Sequence, residues 1–190
     1  MVLILVENLI FKTMRILLFI ILLPLVSLSQ NFFVNQSEVS FFSSAPIEDI
    51  SAISNRLEGV VDFENSTFFF RVPITTFIFP SSLMQKHFNE KYMESDIYDI
   101  SSFKGIFKEK VTISNFQNQI IKAEGALNIH GVSQDISIHT ELMDNNEVMS
   151  FHSEFKVVLK DFNIKVPKIV MMNIADTILV RVSGTLIEKE

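Results

Sequence analysis

The sequence predicts an all-β domain with short helices, built as a closed antiparallel β-barrel of about eight strands. Three observations carry this prediction. Apolar residues recur at every second position in segment after segment of the 190-residue chain, which is the period of a strand with one buried face. Turn-forming clusters separate these segments: SNFQNQ at 114–119, HGVS at 130–133 and DNNE at 144–147. Such short loops make neighbouring strands antiparallel hairpins. The strands are also long, and a long antiparallel sheet avoids exposed edges most simply by closing on itself. Strands of ten or more residues suit a strongly tilted barrel of about eight staves, whose interior just holds one small ligand.

Residues 1–29 stand apart. Arg15 precedes ILLFIILLPLV, and Ser27-Leu28-Ser29 then leads to Gln30. A basic start, an apolar run of about 7–15 residues and small residues at −3 and −1 describe a secretory signal peptide. The run is shorter than the roughly 20 apolar residues of a membrane span, so no stable membrane anchor is expected. Met14 stands directly before Arg15 and is an alternative initiator. The expectation is a periplasmic or secreted domain over residues 30–190.

Within that domain, NFFVNQSEVSFF is read as the first strand and APIEDISAIS (45–54) as a helix, with Pro46 in its first turn and Glu48 and Asp49 at its positive start. LEGVVDFE (57–64) follows as a strand. In FFFRVPITTFIFP (68–80) the even positions Phe68, Phe70, Val72, Ile74, Thr76 and Ile78 form an inward face. The odd positions, with Phe69, Phe77 and Phe79, form a second aromatic face that water does not favour. SLMQKHFNEKYM (82–93) reads as a helix with a capping box of Ser82 and Gln85. The inward phases that follow carry Phe103, Gly105, Phe107 and Val111, then Ile121, Ala123, Gly125, Leu127 and Ile129. Next come Ile136, Ile138, Thr140 and Leu142, then Phe151, Ser153, Phe155 and Val157. A weak helical signal lies at KIVMMNI (168–174), and a last strand has Ile178, Val180, Val182, Gly184 and Leu186 inward. Pattern alone leaves the interior open between a solid core and an apolar cavity. The inward glycines either make room beside large neighbours or mark the bends of closure.

Composition excludes several chemistries. With no cysteine, there are no disulfides, thiol nucleophiles or cysteine metal sites. A formal net charge of −6 makes a nucleic-acid partner an unfavourable one. No G-x-S-x-G, H-E-x-x-H or phosphate-binding glycine loop is present. Of the four histidines, His139 and His152 fall on outward faces of adjacent strands, without the third ligand that a metal site wants. His87 lies on the 82–93 helix, where it could meet a polar ligand head. Glu109, on the inward phase of its strand unless a bulge turns it out, is the one candidate acid or base there. No metal or cofactor is expected.

Three segments resemble the YceI-like family of small exported proteins: HFNEKYMESDIYDISSFKG (87–105), GALNIHGVSQDISI (125–138) and FKVVLKDFNIKVP (155–167). They occur in the family's order, and the resemblance runs from about Phe33 to Glu188. The chain departs from it at DIYDISSFKG, which lacks the usual proline before the Phe-x-Gly strand. The resemblance implies a lipocalin-like barrel that holds an isoprenoid or fatty amphiphile in its interior without catalysis. Its lining would be Phe70, Val72, Ile74, Phe107, Leu127, Ile129, Ile136, Ile138, Phe155 and Val180, with His87 near the mouth. The outer aromatics Phe69, Phe77 and Phe79 would pack under the 82–93 helix or against a second subunit of a homodimer. The rivals are an extracytoplasmic enzyme using Glu109 or His87, and an interaction module with a solid core.

Overall fold

The computed structural model describes residues 31–44, 49–111, 118–144, 148–166 and 175–188. The predicted signal peptide and the helical signal at 168–174 lie outside them.

Among the described residues, nine antiparallel strands form one sheet that closes on itself. They are β1 (Asn31–Ser43), β2 (Ile50–Ser54), β3 (Glu58–Asp62), β4 (Thr67–Pro73), β5 (Ile100–Phe107), β6 (Asn118–Ile129), β7 (Val132–Asp144), β8 (Met149–Val158) and β9 (Thr177–Glu188). The seam is β1. One of its edges pairs with β9 from Phe32 to Phe42. The other is shared, Asn31–Phe33 pairing with β3 and Val39–Ser43 with β2. Since β2 and β3 occupy one stave between them, nine strands make an eight-stave barrel.

Two devices keep apolar side chains inside where a strict two-residue period would not. An irregularity of β1 against β9 between Val34 and Ser37 inserts an extra residue. It lets the even-numbered Phe32 and the odd-numbered Val39 both be buried. The second device corrects the reading of 68–80 as one continuous strand. After Pro73 the chain makes a 3₁₀ turn over Ile74–Thr76, which shifts the phase. Phe77 and Phe79 are buried, while Ile78 is 68% exposed. The turn is pinned by the Thr76 hydroxyl, which donates to the Pro73 carbonyl at 2.6 Å and accepts from Ser54 Oγ at 2.6 Å. The chain beyond it bonds to β2 through the Ile53 and Ile78 backbones at 2.8 and 3.1 Å.

The predicted helix over 45–54 is corrected to strand at Ile50–Ser54; 45–48 lie outside the described residues. Ala52 and Ser54 are buried and Ser51 and Ile53 exposed, which is strand alternation. An isolated helix this short is marginal, whereas pairing satisfies an otherwise open edge of β1. The second predicted helix is present as α1 (Ser82–His87), continued by a π-turn over Phe88–Tyr92. Its cap is Ser81 rather than Ser82: Ser81 Oγ accepts from the Met84 amide at 3.4 Å. Gln85 Oε1 reaches back to the Phe79 amide.

Gly105 and Gly125 pair across β5 and β6. A Cβ on either would overlap the carbonyl of Glu124 or Lys104 on the facing strand. These glycines allow close backbone approach and do not widen the interior.

Candidate functional site

The inward faces enclose a cavity of about 600 Å³. Its walls are strand positions from all around the barrel, and its roof is α1 with the segments beside it. Leu83 of α1 lines the cavity and is also 60% exposed, so the cavity reaches solvent beside the helix. We call this the helix end; the turn at 63–66 marks the opposite, far end.

Phenylalanines organise the interior in three groups. Under α1, Phe88 of the π-turn stacks on Phe41 at 5.6 Å and meets Phe79 at 4.9 Å and Phe77 at 5.8 Å. In the middle, Phe68 contacts Phe103 at 4.8 Å, and Phe70 reaches Phe151 at 5.5 Å. At the far end, Phe63 lies between Phe32 at 5.2 Å and Phe107 at 5.7 Å. Edge and tilted contacts of this kind are favourable geometries for aromatic pairs. Phe77 and Phe79 thus pack under the helix, as the resemblance implied, while Phe69 stays 39% exposed.

The rest of the roof is mainly aliphatic. Ile74, Met93, Leu159, Phe162 and Ile164 form a second buried cluster with Leu127 and Val157. It is fixed by His130, at the two-residue turn between β6 and β7. Both turn residues have positive φ, 53° at His130 and 71° at Gly131, as the tight hairpin turn requires. A side chain at Gly131 would strike the Tyr98 ring. The buried His130 imidazole bridges the Phe162 carbonyl at 3.2 Å and the Glu94 carboxylate at 2.9 Å. Tyr98 stands edge-on to it at 4.4 Å.

Of the predicted lining residues, Phe70, Val72, Ile74, Phe107 and Leu127 border the cavity. Ile129, Ile138, Phe155 and Val180 do so too, as does His87 at the helix end. Ile136 does not: it packs, half-buried, into the two core clusters instead. It sits directly opposite Gly125 across β6 and β7. Sequence reasoning did not assign Phe41, Phe77, Phe79, Tyr92, Met93 or the hydroxyls of Thr140 and Ser153 to the site. The last two were legible as polar residues on otherwise apolar inward phases. The phase shift that brings in Phe77 and Phe79 was not.

Ionisable groups lie mostly off the cavity. Strand β5 ends at Phe107, and Glu109 turns back to accept the Lys122 amide at 2.8 Å. That bond holds its carboxyl below the usual range. Glu124 is lowered in the same way by hydrogen bonds from Lys122 and Lys108. Burial at the roof raises the Tyr92 phenol. His87 and Glu109 belong to opposite ends of the barrel and do not converge. Among the described residues, no group of three or more histidine, aspartate or glutamate side chains is placed to hold a metal ion.

A closed antiparallel barrel around a covered apolar cavity defines a lipocalin-like architecture. Residues 32–186 match the YceI-like domain, and the chain belongs to that family. No curated protein matches it. Solved structures share the fold at low identity. A polyisoprenoid-binding domain from Saccharophagus degradans, implicated in plant cell wall breakdown, aligns with a TM-score of 0.73 at 10% identity, covering 83% of this chain and 98% of that one. Burkholderia cenocepacia BcnA aligns at 0.65 with 12% identity, over 80% and 96%. The Campylobacter jejuni YCEI protein aligns at 0.54 with 18% identity, over 72% and 83%.

Proposed function

We propose that this protein is an exported, non-catalytic binder of a long-chain amphiphile, an isoprenoid or fatty molecule held in the barrel interior. The observation that carries the reading is the cavity, about 600 Å³ and lined chiefly by Phe, Ile, Leu and Val. Each methylene moved from water to such a lining contributes about 0.8 kcal/mol. Ten of them offer roughly 8 kcal/mol before ordering costs, enough for micromolar binding. The polyisoprenoid-binding domain of the same fold supports this ligand class. The separation of His87 from Glu109 supports binding over acid–base chemistry.

Two finer parts belong to the reading. Export rests on Arg15, the apolar run after it and Ser27-Leu28-Ser29; the N-terminus of material recovered outside the cytoplasm should lie at or near Gln30. A homodimer is supported by an apolar strip outside the barrel. There Phe69 on β4 and Ile187 on β9 flank the paired Val60 and Phe33 in one register row, with Ile106 nearby on β5. Light scattering should give twice the chain mass at micromolar concentration, and Phe69→Lys should halve it.

Binding itself is tested with Leu127→Asp. It puts a charge on a buried wall position of the cavity and should abolish uptake of a fluorescent prenyl or fatty probe. Ala123→Leu, also on the wall, would narrow the cavity and should weaken the longest ligands first. If Leu127→Asp folds and binds as wild type does, the cavity is not the site.

A further inference from the structure

We propose that Thr140 and Ser153 form a polar recognition point deep in the cavity for a ligand that carries an uncharged oxygen at its inner end. This rests on the binding reading above and specifies the ligand's chemistry.

The two residues face each other in register on β7 and β8. Both line the cavity, and they are only 9% and 5% exposed. Their hydroxyls are 2.8 Å apart. Two hydroxyls bring two protons, and the bond between them uses one. No other hydrogen-bond partner exists for either side chain among the described residues, so one O–H is left in an apolar surround. Ile121 and Val182 are the cross-strand neighbours on either side, and Ile138, Leu142, Phe151 and Phe155 precede and follow on the same inward faces. Leaving a buried donor unmade is costly, while a hydrophobic pair of the same shape would cost nothing. The spare proton, together with the free lone pairs of both oxygens, suits a hydroxyl or carbonyl oxygen arriving through the cavity.

The position sets the ligand's orientation. Roughly 26 Å of strand separates Thr140 from Val132 at the helix end, at about 3.3 Å per residue. The other polar lining side chains cluster at that end: Ser43, Ser81, His87, Tyr92, Ser101 and Ser102. Arg71 contributes to the wall, but its guanidinium is tied outside to Glu58 at 2.6 Å. Among the described residues no cation therefore faces the hydroxyl pair, and a carboxylate or phosphate would be stranded there. The ligand enters oxygen first, with its hydrocarbon trailing toward α1.

The test compares dodecan-1-ol, tridecane (which replaces the hydroxyl with a methyl) and dodecanoate. Each is titrated against delipidated protein carrying a displaceable naphthylamine fluorophore. In Thr140→Val/Ser153→Ala, affinity for dodecan-1-ol should fall about tenfold relative to tridecane, and Thr140→Ser should restore most of it. The double variant removes both partners together, so it should fold; Ser153→Ala alone, with a smaller loss, gives an independent reading. An unchanged alcohol-to-tridecane ratio with both ligands still bound overturns the hydroxyl assignment and leaves the cavity reading standing. Dodecanoate binding more tightly than dodecan-1-ol overturns the uncharged head. If wild type takes up none of the three, the cavity reading falls and this inference with it.

Discussion

The two ends of the barrel are shut by different means. At the far end the closure is local. Phe32 and Phe107 sit on strands, and Phe63 opens the tight turn between β3 and β4. That turn is held by Asp62, which accepts from the Asn65 amide and side chain at 2.9 and 2.7 Å, and by the Phe107 amide bonded to Ser66 at 3.0 Å. Opening this end means unpairing strands. At the helix end the cover is made of segments outside the ladder: α1 with its π-turn, the chain at 93–99 and the 3₁₀ turn at Leu159–Phe162. They are joined to the strands largely by side chains, Phe88 on one side and His130 on the other. On the proposed binding reading, ligand exchange would go through this cover and leave the strand ladder paired. One barrel thus has a floor built into its strands and a roof built from segments outside them.

Substitutions at the two ends should therefore separate stability from exchange. Phe107 is nearly fully buried, and Phe107→Ala should cost about 3–5 kcal/mol in urea unfolding, with little change in ligand off-rate for the fraction that remains folded. Phe88 is only half-buried, so Phe88→Ala should cost less, about 2 kcal/mol. It should, however, accelerate probe dissociation severalfold by removing the centre of the Phe41–Phe77–Phe79 cluster. If Phe107→Ala speeds release and Phe88→Ala does not, the assignment of floor and roof is reversed.

His130 sharpens the comparison within the roof. Its replacement by alanine removes the bridge between Glu94 and Phe162 and places a β-carbon residue at positive φ without a local polar partner. A loss of about 1–3 kcal/mol is expected. The diagnostic is where the structure loosens. Amide exchange should rise at 93–99 and 159–164, and the turn at 63–66 should be unmoved. His130→Asn, which tolerates positive φ, should recover the turn but not the bridge.

The same division explains what the sequence made legible. The strands β5 to β9 and their inward phases follow directly from a two-residue period, because each keeps one regular face to the interior. Of the ten predicted site residues that border the cavity, six lie on these strands: Phe107, Leu127, Ile129, Ile138, Phe155 and Val180. The failures lie where the period breaks. The extra residue after Val34 and the 3₁₀ turn at Ile74 change phase without changing composition. At β2, a first-turn proline and two acids looked like a helix start, yet the free edge of β1, which only the three-dimensional structure supplies, made a strand of it. The roof was half legible. The capping signal located α1 within one residue, but the partners of Phe88 and His130 are remote in sequence and follow from no local rule.

The smallest expected effect concerns acid, and it belongs to the floor. Glu109 and Glu124 both have carboxyls held below the usual range, the first by the Lys122 amide and the second by Lys122 and Lys108. A carboxyl lowered in the folded state adds stability that is fully present above its unfolded pKa. That contribution is lost as pH falls through the unfolded and then the folded value. Both groups are at the surface, so the effect is modest and screened by salt. Glu109→Gln should lower the thermal midpoint slightly at neutral pH, and the difference from wild type should vanish at low pH, where Glu109 itself is protonated. Because Glu109 follows β5 at the far end, the acid-dependent loosening should appear first in the amides of β6 around Lys122 and leave α1 unchanged. If the roof loosens first as the pH is lowered, proton-linked opening belongs to the helix end, and the floor is not where acid acts.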